Sequence, residues 1–169
     1  DLKAATERGI LISNTPGVLT DATADMAWAL LFAVARRVVE SDKFMRAGKY
    51  EGWGPLHFLG QEITGKTLGV IGGGRIGCAF AKKAKGFEMK IIYTDVAPNP
   101  NFEAETGAKF VDQETLLKEA DFVSLHVPLT PETTHLIGEK ELKMMKKSAI
   151  LINTARGPVI DEAALIRAL

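Results

Sequence analysis

The chain contains one cysteine, no excess of either charge and no apolar stretch long enough to cross a bilayer. With Cys78 alone among 169 residues, an internal disulfide and a cysteine-based metal site are both excluded. Lys plus Arg and Asp plus Glu number 21 each, so nothing favours nucleic acid or an anionic membrane as a partner. The longest apolar run, residues 26–35, is about half the length of a membrane-spanning helix.

The sequence also lacks a secretory signal and any spacing of side chains typical of a metal site. No basic start followed by an apolar core is present, which predicts a cytoplasmic protein. The lack of metal-site spacing predicts that no metal is bound. What the chain does have is 46% hydrophobic and 25% charged residues, the composition of a globular domain. Its length predicts one domain with a proper core.

A glycine-rich turn between an apolar run and a helical pattern is the most informative stretch. Residues 68–71 predict a buried strand, and Gly72, Gly74 and Gly77 then supply G-x-G-x-x-G ahead of a helix predicted over residues 75–85. The first glycine allows a tight turn, the second lets the backbone approach a pyrophosphate, and the third lets helix and strand pack closely. The pattern predicts dinucleotide binding, with a purely structural turn as the alternative.

Asp95 follows the next predicted strand, residues 91–93, at the distance from the glycines that a dinucleotide site requires. A carboxylate there can accept hydrogen bonds from the adenosine ribose hydroxyls, and it repels a 2′-phosphate. The sequence therefore favours NAD over NADP. The alternative is a solvated carboxylate ahead of a turn at residues 98–100.

Apolar runs alternate with helical patterns after residue 67, which predicts an α/β fold: a doubly wound parallel sheet of the Rossmann type. Further strands are expected at residues 110–111, 122–126 and 149–153, and further helices at residues 113–119, 140–145 and 162–169. Asp112 and Asp161 are predicted helix N-caps. Upstream, we expect a short helix at residues 2–8, a strand at residues 10–13 and one long helix over residues 21–48. That helix is apolar nearly all round, which predicts burial on several sides.

Three more loops are expected at the ligand-binding edge, at residues 17–20, 127–134 and 154–157, because doubly wound sheets bind ligands at their strands' carboxyl ends. Arg156 could fork onto a carboxylate or an oxyanion, although a surface ion pair agrees equally well with the spacing. His126 and His135 have no carboxylate placed to orient them, so we expect neither to be catalytic. His57 is predicted to be a loop histidine.

Four motifs occur in order along the whole chain. They are NTPGVLTDATAD at residues 14–25, GKTLGVIGGGRIG at residues 65–77 with Asp95, LHVPLTPET at residues 125–133, and NTARG at residues 153–157. Together they resemble the D-isomer-specific 2-hydroxyacid dehydrogenases, most closely their glyoxylate/hydroxypyruvate reductase branch. One departure is Gly73, where that family usually has an aliphatic residue; the change costs about 0.5–1 kcal/mol of backbone entropy.

The resemblance implies a role for individual residues. The glycines and Arg75 and Ile76 would contact the pyrophosphate, and Asp95 the adenosine ribose. The remaining cofactor contacts implied are Val127, Pro128 and Thr133 on the adenine side, Thr154, Ala155 and Arg156 near the nicotinamide, and Thr20. Arg156 matches the catalytic arginine, which holds the substrate's carboxylate and carbonyl oxygen while hydride moves.

The resemblance also predicts the domain organisation. Residues 1–16 would end a preceding substrate-binding domain, and residues 17–169 would form a dinucleotide-binding domain truncated at its C-terminus. The family's catalytic Glu and His would lie beyond Leu169, so the chain alone is expected to bind NAD(H) and turn over little. The long helix from Asp21 resembles the element that joins two subunits, which predicts a homodimer.

These observations predict the NAD-binding domain of an oxidoreductase that transfers a hydride between nicotinamide and a small 2-oxo or 2-hydroxy acid, such as glyoxylate or hydroxypyruvate. Two alternatives stay open. One is an NAD-sensing, corepressor-type binding protein in which the cofactor controls dimerisation. The other is a sibling dehydrogenase acting on phosphoglycerate, lactate or phosphite.

Overall fold

A computed structural model describes residues 1–169, and it has five parallel strands in the order β3-β2-β1-β4-β5 with helices on both faces. The strands are β1 (Thr67–Ile71), β2 (Lys90–Thr94), β3 (Lys109–Phe110), β4 (Phe122–Leu125) and β5 (Ile150–Asn153). The helices are α1 (Leu2–Glu7), α2 (Thr20–Ala35), α3 (Val38–Arg46), α4 (Arg75–Ala84), α5 (Pro100–Thr106), α6 (Gln113–Glu119), α7 (Glu139–Met144) and α8 (Glu162–Ala168). The predicted doubly wound sheet is confirmed. No helix combines the length and the apolarity needed to span a membrane.

Each face of the sheet has its own apolar core, as expected for strands that are apolar throughout. On one face Trp28, Leu31 and Phe80 from α2 and α4 cover the sheet, and Trp28 stacks on Phe80 with ring centroids 4.9 Å apart. On the other face Leu116 and Leu117 of α6 pack against the strands. The sheet is therefore fixed from both sides, and the edge at which its strands end stays free for function.

Most elements predicted after residue 67 are confirmed, with ends shifted slightly. Both predicted N-caps are present: Asp112 accepts from the Thr115 N–H at 2.8 Å, and Asp161 accepts from the Ala164 N–H at 3.1 Å. Sequence sufficed here because caps and apolar runs are local signals.

The prediction of one long helix over residues 21–48 is wrong, because the chain forms two helices with a break at Arg36 and Arg37. Arg37 has a left-handed backbone, with φ of 55°. The Gln61 N–H donates to the Ala35 carbonyl at 2.7 Å, so a distant loop takes the acceptor that a continuing helix would use. The break is associated with this tertiary contact, which the local sequence does not indicate.

Two further predictions at the element level were wrong. Residues 10–13 form no strand, since no strand of the chain pairs with them, and the side chains of Ile10, Leu11 and Ile12 are 57%, 99% and 56% exposed. The turn expected at residues 98–100 is instead the start of α5, which is capped by Asn99 and has Pro100 in its first turn. An Asn-Pro pair can begin a helix as well as a turn, so the local sequence agrees with either structure.

Candidate cofactor site

Four strands end in register at one edge of the sheet. Ile71 pairs with Thr94 on one side and with Leu125 on the other, and Leu125 pairs with Asn153. The residues that follow these strand ends therefore lie side by side. They are Gly72, Asp95, His126 and Thr154, three of which the sequence had assigned to the cofactor. We call this the carboxyl edge.

The glycine turn, residues 72–77, contains three motif glycines that lack a side chain for different reasons. Gly72 has φ of 100°, and a Cβ atom there would lie 2.7 Å from the His126 carbonyl oxygen. A Cβ atom on Gly77 would lie 2.1 Å from the Gly72 oxygen, so helix and turn could not approach. At Gly74 a Cβ atom would meet nothing within 4 Å. The first and third glycines are thus required by the protein itself, whereas the second faces open space that a ligand could use.

The start of α4 offers unpaired N–H groups at this turn. The helix has no side-chain N-cap, and its first bonded amide is Cys78, which donates to the Gly74 oxygen at 2.9 Å. The amides of Arg75, Ile76 and Gly77 have no acceptor within the chain. Such amides at a helix N-terminus suit a phosphate. Together with the space over Gly74, they fit the pyrophosphate of a dinucleotide.

The Asp95 side chain points toward the glycine turn. Its Oδ2 accepts from the Gly73 N–H at 2.7 Å, and its Oδ1 accepts from the Val96 N–H at 2.7 Å. The carboxylate is half-buried and held by two backbone donors. Each oxygen keeps a lone pair for a further donor, so the group can accept from a hydroxyl at the tip of β2.

The loop after β4 lies next to the glycine turn. A Cβ atom on Gly72 would be 3.0 Å from Cγ1 of Val127, which brings these two predicted cofactor residues together. Thr133 stabilises the loop with two internal hydrogen bonds. Its hydroxyl donates to the Pro128 carbonyl at 2.6 Å and accepts from the Thr130 N–H at 2.8 Å. The Thr133 hydroxyl is therefore used in shaping the loop, and Val127 and Pro128 are the residues this shape presents.

The loop after β5 is clasped by Asn153. Its Oδ1 accepts from the Ala155 N–H at 3.0 Å, and its Nδ2 donates to the Arg156 carbonyl at 2.9 Å. Thr154 has a buried hydroxyl without any hydrogen-bond partner in the chain, so it can bond to a further group. The exposed Arg156 guanidinium donates through Nη1 to the Ala155 oxygen at 2.8 Å. Its other donors are free to bind an anion.

The N-terminus of α2 also reaches the glycine turn. Thr20 lines a cavity of about 280 Å³ together with Gly74, Arg75 and Ile76, so four of the predicted residues share one space. Thr20 also borders a groove of about 610 Å³ on the α5 side, which includes Asn99. The glycine turn thus separates two openings. This arrangement leaves room for an extended ligand across the turn.

The histidines are placed as the sequence indicated. His126 lies against the ring of Phe80 and contacts the Ser124 hydroxyl at 2.9 Å. Burial lowers the pKa of His126 from its ordinary 6.5 to about 4, so the ring is neutral near pH 7 and cannot act as a general acid. His57 is in a loop, and His135 is exposed with its backbone in the left-handed region.

Two residues at this edge were missed by sequence reasoning. Asn153 was quoted only as part of a motif, although it holds the Arg156 loop. Asn99 was assigned to a turn, although its Nδ2 donates to the Gly73 carbonyl at 3.2 Å. Asn153 could have been found, because an Asn two residues before a loop N–H favours an Asx turn. The Asn99 contact joins residues 26 positions apart, and no local pattern indicates it.

Known proteins resemble this chain over nearly its whole length. The model of the family described as D-isomer specific 2-hydroxyacid dehydrogenase, NAD binding domain, matches residues 28–169. Glyoxylate reductases from Thermococcus litoralis and Korarchaeum cryptofilum are 64% and 56% identical to the chain over its whole length. A crystal structure of a Thermus thermophilus protein superposes with a TM-score of 0.94 at 52% identity and covers 99% of this chain.

These matches cover only part of each relative. The chain spans 52% of the Thermococcus litoralis protein, 51% of the Korarchaeum cryptofilum protein and 52% of the Thermus thermophilus chain. The family match, by contrast, takes in every strand of the sheet and the whole glycine turn. The chain belongs to the D-isomer-specific 2-hydroxyacid dehydrogenase family, in its glyoxylate reductase branch, and carries the family's NAD-binding domain.

Proposed function

We propose that this domain binds NAD(H) along the carboxyl edge, as the nucleotide-binding part of an enzyme that reduces a small 2-oxo acid, most simply glyoxylate or hydroxypyruvate. The observation that carries the proposal is the glycine turn. Three consecutive amides without an acceptor face a turn whose second glycine opens onto empty space, and a carboxylate stands beside it. The names of the glyoxylate reductase relatives support the substrate class.

The proposed residue roles combine this placement with the resemblance to the family. The amides of Arg75, Ile76 and Gly77 would bind the pyrophosphate, with Gly72 and Gly77 shaping the turn and Gly74 leaving room. Thr20 borders the same cavity and would contact the cofactor from α2. Val127 and Pro128 would line the adenine side, with Thr133 holding their loop. Thr154 and Ala155 would lie on the nicotinamide side, where the Thr154 hydroxyl has no hydrogen-bond partner within the chain and could bond to the cofactor.

NAD rather than NADP is proposed as the cofactor because of Asp95. Its carboxylate is fixed at the tip of β2 and can accept from ribose hydroxyls. A 2′-phosphate at the same place would meet a negative charge at short range. The family description supports a nicotinamide cofactor, and the preference between the two rests on this one side chain.

Arg156 is proposed as the catalytic residue that the chain supplies. The bound nicotinamide supplies or accepts the hydride, and a guanidinium can hold the substrate's carboxylate and stabilise charge on its carbonyl oxygen. The exposed guanidinium lies on a short loop that Asn153 clasps at both ends. The loop can thus present Arg156 at a defined position.

The organisation of the whole protein is also a proposal. Residues 1–16 would belong to a preceding substrate-binding domain, which agrees with the exposure of Ile10 and Leu11. Homodimer formation through α2 is supported by its second apolar face, where Met26, Leu30 and Val34 are 55%, 42% and 58% exposed. A cytoplasmic location stays a prediction from the sequence.

A titration of the chain with NADH and with NADPH, followed by nicotinamide fluorescence, tests the proposal. NADH should bind more tightly than NADPH, and Asp95→Ala should narrow or invert that preference because the carboxylate's repulsion is gone. Asp42→Ala, which removes an exposed carboxylate from α3, should leave the ratio unchanged. Equal affinities in the unmodified chain would overturn the ribose argument, and no binding of either cofactor would overturn the proposal itself.

A further inference from the structure

Gly73 is held by side chains on both of its peptide planes. Its N–H donates to Oδ2 of Asp95 at 2.7 Å, and its carbonyl accepts from Nδ2 of Asn99 at 3.2 Å. A glycine is otherwise free to rotate about both backbone bonds, more so than any other residue. In this chain two hydrogen bonds restrict that rotation.

Asn99 is itself fixed in position. Its Oδ1 caps α5 by accepting from the Phe102 N–H at 3.2 Å, so the side-chain amide has one partner for its oxygen and one for its nitrogen. Turning the amide over would break both bonds, which sets its orientation. Pro100, which follows, restricts Asn99 to an extended backbone, and its φ of −116° and ψ of 96° lie in that region.

The hydroxyl of Tyr93 anchors the Asn99 backbone. It accepts from the Asn99 N–H at 2.6 Å and donates to Oε1 of Glu103 at 2.8 Å. The Tyr93 ring is fully buried against Phe102, with ring centroids 4.5 Å apart. Packing in the core therefore fixes the position of its hydroxyl. A continuous set of bonds therefore runs from the interior of the domain through Asn99 to Gly73 and from there to Asp95.

We propose that Asn99 is a positioning residue for cofactor selection: by fixing the Gly73–Gly74 peptide it holds the Gly73 N–H against Asp95 and so keeps that carboxylate where the adenosine ribose binds. The inference rests on the proposed function, in which Asp95 contacts the ribose. It adds that the preference for NADH over NADPH depends on Asn99, which acts through the Gly73 backbone on Asp95. Removing the Asn99 donor frees the Gly73 backbone, and the Asp95 carboxylate loses its fixed direction.

Asn99→Ser separates this role from helix capping. Serine caps a helix about as well as asparagine, so α5 should keep its first turn. The shorter side chain has no amide donor and cannot reach the Gly73 carbonyl. Asn101→Ser is the matched control, because Asn101 is exposed, borders the same groove and makes no side-chain hydrogen bond within the chain. Tyr93→Phe is a second variant that keeps the buried ring and removes the anchor for the Asn99 backbone.

The experiment measures dissociation constants for NADH and NADPH by nicotinamide fluorescence, with melting temperatures recorded in parallel. Asn99→Ser should reduce the ratio of NADPH to NADH dissociation constants about threefold or more, the effect of losing one hydrogen bond. Its melting temperature should stay close to that of the unmodified chain. Tyr93→Phe should change the ratio in the same direction, and Asn101→Ser should not change it.

The possible failures are distinguishable. If the unmodified chain shows no preference, or Asp95→Ala keeps it, the proposed ribose contact is wrong. If Asp95→Ala removes the preference while Asn99→Ser and Tyr93→Phe both retain the full ratio, Asn99 only caps α5 and the inference is overturned. Equal weakening of NADH and NADPH by Asn99→Ser would overturn it as well, since the link to Asp95 would then be absent.

Discussion

At the scale of single residues, the glycine turn shows that one motif has several physical causes. Gly72 and Gly77 avoid collisions with backbone oxygens of the protein, whereas Gly74 borders open space. A sequence motif reports only that side chains are absent at these positions. The structure distinguishes the glycines that the fold needs from the one that borders open space, so substitutions at these positions should differ in kind.

Gly77→Ala should reduce the free energy of unfolding by about 2–3 kcal/mol, because its Cβ would lie 2.1 Å from the Gly72 oxygen and α4 would have to shift. Urea unfolding measures the change. Gly86→Ala is the control: a Cβ there meets nothing within 4 Å, and the effect should stay within about 0.5 kcal/mol. A loss of stability in Gly77→Ala as small as that in Gly86→Ala would mean that α4 tolerates the displacement.

His126 should make stability depend on pH. Burial lowers its pKa to about 4 in the folded chain, against an unfolded value near 6.5, so the unfolded state binds more protons between these values. The stabilisation is complete above about pH 6.5 and is lost as the pH falls toward about 4. Linkage gives a loss of about 2 kcal/mol between roughly pH 7 and pH 5.

Urea unfolding of His126→Gln at the two pH values checks this expectation, since the variant should lose most of that dependence. His57→Gln, which changes an exposed loop histidine, should keep it. An unchanged slope in His126→Gln would assign the pH dependence to other groups.

At the scale of elements, α2 has two apolar faces and only one of them is covered. Ala24, Ala27, Trp28, Leu31 and Ala35 are buried against α4 and the sheet. The expectation of burial on several sides is thus met on one side within the chain. A broad exposed apolar face is costly in water, and the other side of α2 is the face proposed above for a second copy of the chain.

Leu30→Lys should shift the chain toward the monomer, because a charge would be buried at the centre of the exposed α2 face. Light scattering over a range of concentrations measures the mass. Val96→Lys, at a fully exposed apolar position away from α2, should leave the mass unchanged. An unmodified chain that stays monomeric at all concentrations would rule out dimerisation through α2 alone.

At the scale of the whole molecule, the parts proposed for cofactor binding lie together at one edge of the sheet. The turn, Asp95 and the β5 loop are fixed by strands that end in register. His126, which follows β4 at this edge, is neutral near pH 7, and we expect neither it nor His135 to act as the general acid. Binding and catalysis should therefore separate in this chain.

The 169-residue chain should bind NADH but reduce glyoxylate at least about a hundredfold more slowly than a full-length glyoxylate reductase, since general acid catalysis is typically worth 10²–10⁴-fold. A steady-state assay of NADH oxidation with glyoxylate, run beside the Thermococcus litoralis enzyme, checks this. Turnover at the rate of that enzyme would mean that a donor within these residues had been overlooked.

The sequence by itself determined the alternation of strands and helices, the glycine turn, Asp95 after β2 and the caps at Asp112 and Asp161. These are local signals: periodicity, turn chemistry and capping depend on residues a few positions apart. Only the tertiary structure decided that α2 ends at Ala35, where Gln61 takes its carbonyl, and that Asn99 reaches Gly73. Both depend on hydrogen bonds between residues some 26 positions apart, and such contacts exist only once the sheet has brought their loops together.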